Sequence, residues 1–286
     1  MYYKFVLILF QFLTVMGVSG QVSMKKIGEL NRKIQESSGL VLYQNKFLLT
    51  HNDGGNKSEI FVLDLKGNLV RTINVKNTKN HDWEDMTQDD EGNVYIGDFG
   101  NNLNEREECQ IYILPKDFVN KDEIEPDKIK FTYEDQKKFP PKKEDLNYDC
   151  EAFFWKDDHL YLLTKCRTKP FTGESRVYEL EAKRGKQEAK YIGSIYLCQS
   201  GWRFCSVTSV DYFSKTNTMA ILTYGKLYIL SNFNGIEFWN GDIRSYSLPV
   251  VKQREAICFV KEHKLLITDE YRKGFGGGNL YELSYK

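Results

Sequence analysis

Short apolar runs recur along the chain at a steady interval, separated by polar turns. The clearest are Phe47-Leu48-Leu49-Thr50, Val94-Tyr95-Ile96-Gly97, Tyr161-Leu162-Leu163-Thr164, Ala220-Ile221-Leu222-Thr223 and Leu265-Leu266-Ile267-Thr268. A second set follows each of them: Ile60 to Leu63, Ile111 to Leu114, Val177 to Leu180, Leu227 to Leu230 and Leu280 to Leu283. Runs this short, rich in β-branched and aromatic residues and bounded by turn residues, predict strands. Each unit reads as strand, hairpin, strand, polar loop and third strand. Fourth strands are predicted at 69–75, 128–133, 189–195 and 243–248. The last unit stops after its third strand, and residues 24–30 can supply the missing fourth. Four short strands repeating every 40 to 55 residues or so are the signature of a β-propeller. The expectation is an all-β single propeller of four-stranded blades, five repeats in view, with its edge closed by the N-terminal strand. Residues 120–146 read as a long connection with one strand inside; a degenerate blade there would make six.

The first twenty residues break the pattern. Lys4 is their one charge, and an apolar run from Phe5 to Val18 ends at Val18-Ser19-Gly20. That layout predicts a secretory signal peptide over residues 1–20, leaving the propeller over 21–286. The run is too short for a membrane anchor, and no later stretch is apolar enough to span. The expected location is secreted or periplasmic, and the expected state a monomer.

Composition narrows the function. Lys+Arg and Asp+Glu are 40 each, so the net charge is zero and a charge-driven nucleic-acid partner is not expected. Aromatics at 14% argue for a packed core rather than disorder. Export permits disulfides. Counting across hairpins suggests Cys150–Cys166 and Cys198–Cys205, with Cys109 and Cys258 as free buried thiols. There is no CxxC, so a zinc site of the usual kind is not expected.

The polar residues also repeat. Glu36, Glu84, Glu151 and Glu255 start four of the first strands, and the small residue ending the second strand follows 13 or 14 positions later. In a propeller these positions share one face, so the glutamates should meet the residues after the second strands, His51, Asp98, Lys165, Tyr224 and Asp269, at one mouth of the channel. The count puts Glu84 opposite Asp98, Glu151 opposite Lys165 and Glu255 opposite Asp269. Opposed carboxylates destabilise a sheet unless a cation, an arginine or a raised pKa relieves them. Two readings follow. The acids bond backbone N–H groups and clasp neighbouring blades, or they hold a hard cation such as calcium. Polar loops on the same face add His51, Asp53, Arg106, Arg167 and Arg272, suited to a small anionic ligand. His159 and His263 fall in opposite-face turns and should face solvent, and Trp83 should pack between blades. No G-x-S-x-G motif is present, so a serine-hydrolase triad is not indicated.

The segments Glu36-Ser37-Ser38-Gly39-Leu40, His51-Asn52-Asp53, Asp82-Trp83-Glu84-Asp85 and Tyr95-Ile96-Gly97-Asp98-Phe99-Gly100-Asn101-Asn102, with Arg106, resemble a family of exported bacterial propellers. Its relatives are the SdiA-regulated and esterase-like phytase propellers and, more distantly, calcium-dependent gluconolactonase-type enzymes. The last resemblance implies a divalent metal at the channel mouth held by Glu, Asn and Asp. Glu36, Asp98, Asn102 and Asp269 are of suitable type here. The leading expectation is an exported soluble propeller that binds a small ligand, cation or protein partner at an acidic mouth without a catalytic constellation. The alternative is a divalent-metal-assisted hydrolase of a phosphoester, ester or lactone, with Glu84 or Glu255 as general base. A third is a structural surface protein.

Overall fold

The computed structural model describes residues 22–286; the expected signal segment lies outside the described residues. Strand β1 (Val22–Glu29) comes first. The first repeat unit follows as β2 (Ser37–Tyr43), β3 (Phe47–Asn52), β4 (Glu59–Leu63) and β5 (Leu69–Val75). The second is β6 (Trp83–Gln88), β7 (Val94–Asp98), β8 (Cys109–Leu114) and, beyond the two-residue β9 (Glu123–Ile124), β10 (Asp127–Tyr133). The third is β11 (Asp149–Lys156), β12 (His159–Lys165), β13 (Glu174–Glu181) and β14 (Gly185–Tyr196). A single helical turn, α1 (Trp202–Cys205), leads to the fourth: β15 (Ser209–Phe213), β16 (Thr218–Leu222), β17 (Lys226–Ser231) and β18 (Asp242–Ser247). The fifth is β19 (Arg254–Lys261), β20 (Lys264–Asp269) and β21 (Asn279–Tyr285).

Within each unit the strands pair antiparallel in chain order, and β1 pairs with β21 as the fourth strand of the last sheet. Parallel pairing of β10 with β14 joins the second and third units, and β9 adds to the edge of the first beside β5. Residues 120–146 are therefore a connection carrying β9 and the fourth strand of the second unit. The first strands pack in sequence, β2 on β6, β6 on β11, β11 on β15 and β15 on β19, and β19 packs back on β2.

The apolar core lies between sheets rather than inside one. Five clusters fill the spaces between successive units, and the fifth joins Ala256, Cys258 and Leu280 to Leu40, Leu48 and Phe61. Middle strands are covered on both faces, which is why they read as unbroken apolar runs instead of alternating ones. Outer strands such as β5 and β18 alternate, because one face meets water. Trp83 is fully buried against His51 and Tyr112.

The register differs from the count across hairpins. Trp83 pairs with Asp98, and Asp85 with Gly97, so Glu84 is an extra residue. Glu151 is skipped likewise between Cys150 and Ala152, and Glu255 between Arg254 and Ala256. Each glutamate sits in a β-bulge, which shifts the pairing by one and re-aims the side chain. In the first unit the bulge falls at Gly39 and Leu40. Gly39 is required there: its φ is 67°, and a Cβ would stand 2.7 Å from the Met86 amide nitrogen of the next unit.

Cys198 and Cys205 form a disulfide, as the spacing predicts. Cys150 and Cys166 do not; both are free and buried, like Cys109 and Cys258. The bulge explains it. Cys150 stands opposite Thr164 with its sulfur against the Leu163 carbonyl, while the Cys166 sulfur turns to the hydroxyls of Thr168 and Thr172.

Candidate functional site

The inner strands are tied to one another by side chains that sequence reading did not single out. Asp85 accepts hydrogen bonds from the Phe153 and Val210 amides and the Ser209 hydroxyl, reaching two other units. Asp211 accepts from the Phe259 amide at 2.6 Å, and Thr87 from the Trp155 amide at 3.2 Å. The Thr208 hydroxyl donates to the Arg254 carbonyl at 2.7 Å. These groups do the clasping expected of the recurring glutamates. No backbone amide bonds the side chain of Glu84, Glu151 or Glu255 among the described residues, and those three are left for other work.

Glu151 is neutralised. The Lys165 ammonium is 2.8 Å away, and both are buried. Arg167 reaches Glu151 at 3.3 Å and Asp149 at 2.6 Å, and it also donates to Asn102. Glu84 and Glu255 face a different neighbourhood. Asp53, in the loop after β3, and Glu270, directly after β20, bring carboxylate oxygens to within 4.8 Å of one on Glu255 and of each other. Asp53 also belongs to a second such group, with Asp82 and Glu84. Three units thus contribute five carboxylates to one mouth of the assembly.

The backbone holds these acids from behind. The Asp53 amide donates to the Glu36 carbonyl at 2.8 Å, and the Asn80 side chain donates to the Asp53 carbonyl at 2.8 Å. The loop after β7 closes over the second group: a Cβ on Gly100 would lie 2.2 Å from Glu84 Oε1 and 2.5 Å from Asp82 Oδ2.

The electrostatics follow from burial and crowding. Burial, with the charges of Glu255, Asp82 and Glu36, pushes Asp53 up to about 7. Burial and the neighbouring Glu255 carry Glu270 up to about 10. Glu84 is well above the usual carboxylate range, through burial and then Glu151 and Asp53, and Asp82 is raised by burial and Asp149. Burial also raises Glu255, but the nearby carboxyl of Glu270, the Lys165 charge and the polar side chains of Tyr224 and Gln253 outweigh it, so Glu255 ends low. Its Oε1 accepts from the Tyr224 hydroxyl at 2.8 Å, while its Oε2 is buried without a hydrogen-bond partner. A proton shared with Glu270 or a cation satisfies that atom.

The other residues read from the sequence lie elsewhere around this mouth. Asp98 is saturated by Arg106 at 3.2 Å, His81 at 3.2 Å, Gln110 at 2.8 Å and the Asp82 amide at 3.1 Å. Asp269 is saturated by Lys252 and Tyr281, each at 2.9 Å, and by the Asn279 amide at 2.8 Å. Asn102 lies between Arg167 and Asp82. Glu36 is exposed and accepts from Asn56 at 2.6 Å, while Arg272 is exposed in the last loop. His51 is fully buried, its ring edge-on to Trp83, and burial lowers it to about 4. Sequence reading brought Asp53, Glu84 and Glu255 together and missed Asp82 and Glu270. Both were in view, each one or two positions from a residue that was chosen.

Both groups contain oxygen donors alone, with no His or Cys. That set suits a hard cation rather than zinc or copper. A cavity of about 900 Å³ opens at the other end of the inner strands, lined by the hairpin turns and by Leu42, Trp155 and Tyr212, away from the five acids.

No protein-family model matches the chain, and no curated protein matches it by sequence. Solved structures do match in shape. The aldose sugar dehydrogenase of Streptomyces coelicolor, in its PQQ-bound form, aligns at 11% identity with a TM-score of 0.56, covering 93% of this chain and 99% of its own. A candidate gluconolactonase aligns at 10% identity with a TM-score of 0.50, covering 93% and 92%. A gluconolactonase of Xanthomonas campestris gives 13% identity, 87% and 72% coverage and a TM-score of 0.47. At these identities the first two likenesses speak to fold alone: the chain has an all-β fold of the propeller type.

Proposed function

We propose that the five packed sheets are the blades of a single propeller closed by β1, and that the exported protein binds a hard divalent cation, calcium foremost, at its acidic mouth. One observation carries the reading. Asp53, Glu255 and Glu270 bring carboxylate oxygens together from separate segments, and the buried Oε2 of Glu255 has no hydrogen-bond partner. Burying carboxylates together is costly unless positive charge accompanies them. The nearby cations are committed elsewhere, Lys165 to Glu151, Arg167 to Asp149 and Arg106 to Asp98. A metal ion supplies the missing charge, and three carboxylates leave part of a six-to-eight-oxygen shell for water or for an anionic ligand arriving from outside. Binding without catalysis is the reading favoured here, because fold does not confer activity and no complete catalytic constellation stands out among the described residues.

The test is elemental analysis with thermal melting in calcium and in chelator. Calcium at 100 times its dissociation constant should add about 2.7 kcal/mol, or about 5–10 °C for a chain this long. An unchanged melting point and no bound metal would refute it.

A further inference from the structure

We infer that the mouth holds two cations side by side, with Asp53 as the carboxylate they share. The inference rests on the cation reading above and adds the number and arrangement of sites. The two oxygen groups are distinct: Glu255 and Glu270 on one side, Asp82 and Glu84 on the other, with Asp53 in both.

Each side has its own deeply buried acid. On the first, Glu255 is 5% exposed and its Oε2 has no partner. On the second, Glu84 is 4% exposed, and no hydrogen-bond donor or cationic side chain meets its carboxylate among the described residues. One ion seated among Asp53, Glu255 and Glu270 would leave Glu84 on the far side of Asp53 without a cation of its own. A carboxylate bridging two divalent ions about 3.5–4 Å apart is an established way to place such a pair.

Tyr224 fixes the first side by holding Glu255 Oε1, which leaves Oε2 for the ion. The Gly100 loop fixes the second, since its backbone lies directly against Glu84 and Asp82. The shared residue belongs to the first unit, Glu84 and Asp82 to the second, and Glu255 and Glu270 to the fifth. The pair of ions would thus tie three segments distant in sequence.

The experiment is calcium titration of chelator-treated protein by calorimetry, with bound metal counted after dialysis. Wild type should take up two equivalents. Glu270→Gln and Glu84→Gln should each keep one, and Asp53→Asn should weaken both by about 10-fold or more. These amide replacements keep side-chain volume, and circular dichroism checks that each variant folds. Electron paramagnetic resonance of the manganese(II)-loaded wild type needs no variant: a bridged pair gives an exchange-coupled spectrum. One equivalent in wild type, or two equivalents with an uncoupled spectrum, would overturn the shared-carboxylate pair while leaving cation binding in place. No uptake at all would overturn both.

Discussion

Lys165 stands 2.8 Å from Glu151 across the bulge of the third unit, and this pair separates Glu151 from Glu84 and Glu255, which occupy the equivalent bulges with no salt bridge among the described residues. The same backbone device thus makes an ion pair in one unit and acids outside any salt bridge in two others. Replacing Lys165 by Met should leave Glu151 buried with only Arg167 at 3.3 Å to answer it. The expected loss is about 3 kcal/mol, read by urea denaturation. Glu151→Gln added to it should return most of that loss. A single variant as stable as wild type would show that the pair is worth nothing to the fold.

Gly100→Ala separates the site from the fold. The new methyl would meet the flexible ends of Glu84 and Asp82, so the side chains should swing away and the chain should still fold. Calcium affinity should drop about 10-fold, with the melting point in chelator within a few degrees of wild type. Unaltered affinity in calorimetry would show that the Glu84 side of the mouth takes no part in binding.

Asp98 and Asp269 should behave in the opposite way. Each carboxylate is fully engaged within its own unit, by Arg106 and Gln110 or by Lys252 and Tyr281. Their Asn variants should lose about 1–3 kcal/mol from broken charge-assisted bonds and keep their calcium affinity. A weakened affinity at unchanged stability would make them ligands instead.

The pH dependence of stability should carry the mark of Asp211. Burial raises this acid from 3.8 to about 7, against the pull of the Phe259 and Tyr212 amides. The folded chain therefore holds its proton more tightly than the unfolded chain does. The contribution is complete below pH 3.8, is lost as pH rises towards 7, and is level above that. Between pH 5 and 8 the wild type should lose stability more steeply than Asp211→Asn in parallel denaturant titrations. Identical slopes would mean that Asp211 is charged throughout.

The apolar runs of the middle strands made the sheets legible, because burial on both faces leaves no room for a polar residue at Leu48, Ile96 or Leu162. The convergence at one mouth was legible too, since Asp53, Glu84 and Glu255 follow from strand order alone. The partners within it were not. A bulge leaves no trace in a run of strand residues, and a single extra residue at Glu84 or Glu255 moves the facing position by one. Counting therefore led to Asp269 rather than its neighbour Glu270, while Asp82, two residues before Glu84 on the same segment, lay outside any count across the hairpin. Cys150 was paired with Cys166 for the same reason. The clasps escaped because Asp85 and Asp211 are single acids inside strands, and only the packing of β6 and β15 against their neighbours shows what they hold.

The pairing of β1 with β21 sets Val22 opposite Tyr285. On a ribosome β1 is made before the strands of all five units, and its partner β21 after them. Until β21 has emerged, residues 22–29 have no strand to join, and the fifth sheet cannot be completed. Loop closure across nearly the whole chain is slow compared with forming a hairpin. Closure of that sheet should therefore be a late event in folding.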